Sequence, residues 1–251
     1  MSVLFTIHAT NEGYMNKVVL SLYDYTGVAV KPWAEAGYQC YCFDIQHDGR
    51  VERFDSGGSI TYRCADLHQL KTITDLFQEF RFQPVEFGMG FPVCTDLAVS
   101  GASHFERKRQ ANPDFQAEAA EHAKRVGWLF DSLGCPYFVE NPVSVLSTLW
   151  RKPNHTFQPF EYGGWLPVEA ASHPLYPDYI APFDAYSKKT CLWVGNGFTM
   201  PEKCPVPCQS FGSSTQHRKL GGKSIKTKNI RSATPRGFAL AVFHANHKGV
   251  L

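Results

Sequence analysis

No Asp or Glu occurs after Glu202, although the same stretch holds Lys203, Arg218, Lys219, Lys223, Lys226, Lys228, Arg231, Arg236 and Lys248. The overall charge of +2 conceals this asymmetry. A field of one sign along one stretch favours a polyanionic partner such as nucleic acid, with a solvated basic tail as the plainer alternative. A Gly-x-Gly-x-x-Gly turn is also absent, which argues against a dinucleotide held through its pyrophosphate. Nothing resembles a signal peptide or a membrane span, since Val3-Leu4-Phe5-Thr6-Ile7 is too short and His8 follows it. A cytoplasmic setting is expected, in which the eight cysteines stay reduced. Cys204 and Cys208, with Cys191 and His217 nearby in sequence, lack the second close pair of a zinc site, so no metal is expected.

What is present is a sizeable core and an alternating pattern. The 251 residues are 43% hydrophobic, which suits one large α/β domain or a core with a small module. Lys17 to Tyr23 reads as a buried strand. A turn with Gly27 follows, then a short helix from Pro32 to a stop at Gly37, and a second strand from Tyr38 to Ile45. This is a strand–turn–helix–strand unit of the nucleotide-binding type. A Gly57-Gly58 turn precedes a strand from Ile60 to Cys64, and Leu70 to Phe80 fits a helix. Pro84 to Gly90 reads as a central strand. The apolar spacing of Ala119, Ala123, Val126, Leu129 and Phe130 predicts one long helix from Phe115 to Leu133, ended by Gly134. Tyr137-Phe138-Val139 is a short strand that delivers Glu140, and Thr190 to Val194 is a later one. Ser210 to Asn229 reads as a long basic loop. Thr234 is expected to cap a final helix, with Pro235 at its first position. The alternation predicts a mostly parallel sheet with helices on both faces.

Two strings carry chemistry. Phe91-Pro92-Val93-Cys94 places a thiol just past the central strand, and Phe138-Val139-Glu140-Asn141-Pro142 places a carboxyl at the end of another. A thiolate and a nearby carboxylic acid are what is needed to attack an electron-poor ring and protonate it together. A helix start beside Cys94 is expected to lower its pKa, and burial to raise that of Glu140. Asn141 is expected to brace the loop.

At this point the chain resembles the DNA cytosine-5 methyltransferases. Ser21 to Val28 with Ala36-Gly37-Tyr38 is similar to their first motif, Pro92-Val93-Cys94-Thr95 to their nucleophile loop, and Glu140-Asn141-Pro142 to their Glu-Asn-Val motif. The strings Cys94 to Ala102, Glu140 to Pro153 and Lys189 to Trp193 are similar to a compact, phage-associated branch of that family. The likeness spans most of residues 17–194 and thins to Arg231-Ser232-Ala233-Thr234-Pro235-Arg236. Val93 separates proline from cysteine, and Lys188-Lys189-Thr190 stands where the family has a Gln/Arg pattern.

The resemblance implies a Rossmann-like methyltransferase fold and methylation of cytosine C5 in DNA from S-adenosylmethionine. Cys94 would be the nucleophile and Glu140 the ring activator, with Asn141 beside it. Asp44 would take the ribose hydroxyls and Asp66 the adenine amine, while Tyr23 and Gly27 line the methionine side and Ile45, Leu67 and Pro92 complete the pocket. Thr95, Ser100, Arg107, Lys189 and Arg231 would meet a base that is flipped out or single-stranded. Three regions are expected: a catalytic core at 1–194, a small basic recognition insert at 195–230, and a C-terminal helix at 231–251 packed on the core. A monomer is favoured, and a host-cell cytoplasm if the chain is phage-encoded. A pyrimidine-modifying enzyme acting on free nucleotide, RNA or a modified base is an alternative, as is a non-catalytic nucleic-acid-binding relative.

Overall fold

A computed structural model describes residues 17–209, 220 and 224–248. Alternating buried strands and amphipathic helices give one eight-stranded mixed sheet in the order β3-β4-β2-β1-β5-β6-β8-β7. The strands are β1 (Val18–Leu22), β2 (Gln39–Asp44), β3 (Val51–Arg53), β4 (Ser59–Cys64), β5 (Val85–Gly90), β6 (Tyr137–Pro142), β7 (His155–Phe157) and β8 (Thr190–Gly195). The central five, β4-β2-β1-β5-β6, are parallel. β3 runs antiparallel to β4, and β8 runs antiparallel to both β6 and β7. β3 and β7 are three-residue edge strands with too little periodicity to be read from sequence. The chain reverses its direction of sheet growth between β1 and β5, and ligands of open α/β sheets bind outside the carboxyl ends at such a point.

Period-2 alternation sorts the side chains onto two faces. Val18, Leu20 and Leu22 of β1 and Tyr137 and Val139 of β6 pack under α2 (Leu70–Phe80) and α4 (Phe115–Leu133). Val19, Cys40, Cys42, Phe87, Met89 and Phe138 pack on the other face against α1 (Lys31–Glu35) and the last helix, α7 (Arg236–Asn246). The helices at 70–80 and 115–133 thus form where the spacing places them. The remaining helices are α3 (Phe105–Ala111), α5 (Leu146–Leu149) and α6 (Ile225–Ser232).

Two local expectations are corrected. The stretch read as a loop to Asn229 becomes helical at Ile225, with Ser224 Oγ accepting the Thr227 amide at 3.2 Å as an N-cap. Its earlier part, including Arg218, Lys219 and Lys223, lies outside the described residues. The last helix begins at Arg236 and not at Pro235, and Thr234 does not cap it. Asp184, 52 residues earlier, does so instead: its Oδ2 accepts the amides of Arg236 at 2.6 Å and Gly237 at 3.3 Å. The Arg236 guanidinium returns to Asp184 Oδ1 at 3.5 Å and to the carbonyls of Ala171 and Ser172 at 2.8 and 2.9 Å. The buried charge of Asp184 is thereby answered by a cation and by the free amides of a helix start.

Helix α4 lies close on β5 because Gly88 has no side chain. A Cβ there would sit 2.4 Å from the Phe130 ring. Gly88→Ala should therefore lower the unfolding free energy by about 1–3 kcal/mol through overpacking. Urea denaturation of both proteins measures this, and an unchanged midpoint would refute the close contact.

Candidate active site

The carboxyl ends of β1, β2, β4, β5 and β6 open onto one edge, and the sequence-predicted residues lie along it. Past β1 the chain turns sharply. Tyr23 takes a left-handed backbone (φ 59°) and Gly27 another (φ 70°). Between them Asp24, which sequence reading passed over, organises the turn. Its Oδ1 accepts the amides of Thr26 at 3.0 Å and Gly27 at 2.8 Å, and its Oδ2 accepts the Ser21 hydroxyl at 2.9 Å. Burial pushes the Asp24 carboxyl up, and these bonds oppose the push. Asp24-Tyr25-Thr26-Gly27, an Asp two residues before Thr-Gly, is an Asx-turn signal, so the sequence did carry it. The consequence is chemical: amides that could cradle a phosphate are already taken by a carboxylate. The turn therefore suits a ligand without phosphates.

The residues expected to meet a donor gather next to it. Tyr23 Oη donates to the Leu67 carbonyl at 2.9 Å, and the Tyr23 phenol is pushed up by burial and by Asp66, with Asp44 adding to it. Asp44 is nearly buried at the end of β2, and its Oδ1 accepts the Gln46 amide at 2.9 Å and Gln46 Nε2 at 3.2 Å. Ile45 beside it is 64% exposed, an apolar surface on which a flat ring can lie. Asp66 is half-buried, and hydrogen bonds from Gln69 and from the His68 amide hold it below the ordinary carboxylate range. Asp66 also borders an open pocket of about 290 Å³ between β4 and α2. Leu67 departs from expectation: its side chain is in the core, and its carbonyl is occupied by Tyr23. Pro92 is buried and contributes its carbonyl to the neighbouring loop.

That loop carries Cys94, and it is laced to the end of β6. Asn141 Nδ2 donates to the Pro92 carbonyl at 3.0 Å, the Val99 amide to Val143 at 3.1 Å, and the Val145 amide to Leu97 at 3.0 Å. Asn141 thus ties the end of β6 to the Pro92 backbone. It is fully buried, and its Oδ1 has no described partner. The lacing brings the thiol and the carboxyl of Glu140 within electrostatic reach of each other. Burial and Glu140 push the Cys94 thiol up, and Lys188 pulls it down. Burial likewise raises Glu140, again opposed by Lys188.

Here the expected acidification of Cys94 is overturned. The residues after it form a turn in which the Cys94 carbonyl accepts the Leu97 and Ala98 amides, and helical structure starts only at Val99. The thiol therefore receives burial and a neighbouring acid, without a helix terminus. The cation that acts on it is Lys188, next to the Lys189 expected to meet the base. Lys189 is exposed and acts on Cys191 instead. Strand parity explains the difference: Lys188 shares the face of Leu192, the face of Phe138 and Glu140, while Lys189 shares that of Cys191 and Trp193. Parity was available in the sequence.

The remaining predicted contacts stand around the rim. Thr95 and Ser100 are exposed on the Cys94 loop, and Arg107 is exposed on α3. Lys108 Nζ, one residue on, is tied to the Thr95 carbonyl at 3.3 Å and paired with Asp96. Arg231 is exposed at the end of α6, and its guanidinium donates to the Leu220 carbonyl at 2.8 Å. Beside Glu140 lies a pocket of about 10 Å³ walled by Phe91, Phe157, Lys188, Phe238 and residues 232–235. Among the described residues no three His, Cys, Asp or Glu side chains form a metal-ligand group, and His217 is not among those described.

No family model matches the chain. No curated protein matches it either. Among solved structures, it is similar to the crystal structure of a protein assigned by inference as a DNA modification methyltransferase encoded within a prophage (E. coli). The identity is 13% and the TM-score 0.37, over 71% of this chain and 46% of that one. The chain thus spans about half the length of that protein.

The charges around Cys94 predict its reactivity. Its rate of alkylation by iodoacetamide should rise with pH and reach its midpoint above the ordinary cysteine value of about 8.5. Lys188→Met should move that midpoint higher still, because it removes the cation that favours the thiolate. Mass-spectrometric rates at the Cys94 peptide between pH 6 and about 10 decide it; a midpoint below the ordinary value would overturn the assignment of charges.

Proposed function

We propose that this protein methylates cytosine at C5 in DNA, using S-adenosylmethionine, through a covalent adduct on Cys94. The observation that carries the reading is the convergence of the Cys94 thiol and the Glu140 carboxyl beside Lys188, at the carboxyl edge where the sheet order reverses.

The donor-side residues fit the proposed donor. Asp24 occupies the first-turn amides, so the turn disfavours phosphate and tolerates a cationic sulfonium. Asp44 offers a carboxylate for ribose hydroxyls, Ile45 an apolar surface for adenine, and Asp66 an ionised acceptor for its amine. When bound, the donor supplies an electrophilic methyl group.

The chain's residues do the rest. The Cys94 thiol gives its proton to solvent, the sulfur electron pair forms a bond to C6, and the C5–C6 π pair moves onto C5. Glu140, whose carboxyl burial pushes towards the protonated form against Lys188, holds its proton at N3 and removes charge from the ring as the sulfur adds. C5 then takes the methyl group, loses its proton to solvent, and the restored double bond expels the sulfur. Lys188 offsets the cost of forming a thiolate in a buried place. Arg107, Lys189, Arg231 and the basic stretch after Glu202 supply phosphate contacts for a polyanion, which supports nucleic acid as the acceptor. The target base would be flipped out or single-stranded.

Cys94→Ser should abolish covalent trapping on DNA containing 5-fluorocytosine and leave the heat of S-adenosylhomocysteine binding unchanged. Glu140→Gln should slow methyl transfer by roughly 10²–10⁴-fold, the range for loss of a positioned acid. Labelled donor offered with duplex DNA, single strands and dCMP tests the acceptor, and label on dCMP alone would defeat the DNA reading.

A further inference from the structure

We propose that the junction Arg231–Pro235 is the gate of the acceptor pocket, and that Lys188 and Asn229 are the positioning residues that hold it shut. The inference rests on reading Glu140 as the carboxyl that faces the base.

The pocket beside Glu140 is about 10 Å³. On that measure a cavity of roughly 10–15 Å³ holds one water molecule, so a pyrimidine ring enters only if a wall moves. Most of the wall is fixed. Glu140 is paired to Leu192 of β8, and Val139 just before it to Gly90 of β5. Phe157 and Phe238 are both buried and stack at 3.9 Å. Phe238 lies just inside α7, whose start is pinned by Asp184. The Phe91 amide is bonded to the Leu22 carbonyl at 3.0 Å.

The exception is the link 233–235 that follows α6, extended at Ala233 and Pro235 with ψ near 127° and 123°; it is buried, with Ala233 against Ile180 and Tyr186, and it is joined directly to α6. Its neighbour α6 is weakly rooted. Of its eight residues Ile230 is the buried apolar side chain, while Ile225 is 63% exposed. Segments with few apolar contacts open at low free-energy cost.

Three polar clamps hold α6 and the link that follows it. Lys188 Nζ donates to the Arg231 carbonyl at 3.0 Å, a cation on one of the unsatisfied carbonyls of a helix C-terminus. Asn229 and Gln46 exchange amide hydrogen bonds at 3.1 and 3.4 Å. Arg231 reaches the Leu220 carbonyl at 2.8 Å. Gln46 is in turn anchored on Asp44, so one chain of hydrogen bonds runs from the donor-side acid through α6 to the cation beside Glu140. Opening exchanges these bonds for water, which is a small difference, whereas moving any aromatic wall would unstack the core.

The test reads Glu140 directly and needs neither donor nor DNA. Carbodiimide with glycinamide labels carboxyls, and peptide mass spectrometry reports the rate at each. Asn229→Ala and Gln46→Ala should each speed labelling of Glu140 by about fivefold, the weight of one net hydrogen bond. The double variant should add little, because both remove the same pair. Exposed Glu106 and buried Asp24 should be labelled at unchanged rates. Lys188 is left intact in this series because its charge acts on Glu140 itself. An unchanged rate at Glu140 in both variants would overturn the gate. A parallel rise at Asp24 would also overturn it, as general loosening. A fivefold rise combined with failed trapping at Cys94 would leave the gate standing and remove the methyltransferase reading.

Discussion

Two loops at the mouth of the sheet are sewn together, and the chemistry depends on that seam. Cys94 follows β5 and Glu140 ends β6, adjacent parallel strands whose following loops would otherwise diverge. Asn141 reaches back to the Pro92 carbonyl, and the 97–99 and 143–145 backbones exchange two further hydrogen bonds. Asn141 projects to the face opposite Glu140, as alternation requires, so it grips the neighbouring loop from beneath while Glu140 remains on the pocket side. Without that grip the thiol would sit on an unanchored turn.

The seam creates an electrostatic problem of its own. It sets two acids, Cys94 and Glu140, beside one cation, Lys188. Burial disfavours charge on both, and Lys188 favours charge on either. The two groups therefore titrate as a pair, and ionising one raises the cost of ionising the other. For the proposed addition to a pyrimidine this is useful. The state with a thiolate and a neutral carboxyl has the same charge as its converse, and a ring nitrogen that accepts the Glu140 proton favours the first. The lysine's position is consequently decisive, and it is fixed by a backbone carbonyl at the end of α6 and not by another side chain.

The far side of the pocket is built by long-range contacts. Asp184 caps α7, and Arg236 pulls the 170–172 backbone against it. This fixes Phe238 on Phe157 and so defines the aromatic wall. The segment 159–186 is poor in regular structure, yet it positions the helix that closes one face of the sheet. A proline- and aromatic-rich stretch thus acts as a strap, where a catalytic reading of the sequence would pass over it.

The helices at 70–80 and 115–133 and the central strands were legible because each buries a continuous apolar stripe, and burial alone dictates period. Cys94, Glu140, Asp44 and Asp66 were legible as strand-end residues for the same reason: once strands are known, their carboxyl ends are known. Asp24 and Lys188 were present as an Asx-turn and a parity signal. What the sequence could not determine was partnership. The cap of α7 comes from 52 residues away, and the raised Cys94 thiol depends on burial by the folded chain and on a carboxyl 46 residues further on. Local periodicity follows from one residue's neighbours along the chain, whereas charge, capping and enclosure follow from neighbours across space, and only the folded sheet brings those together.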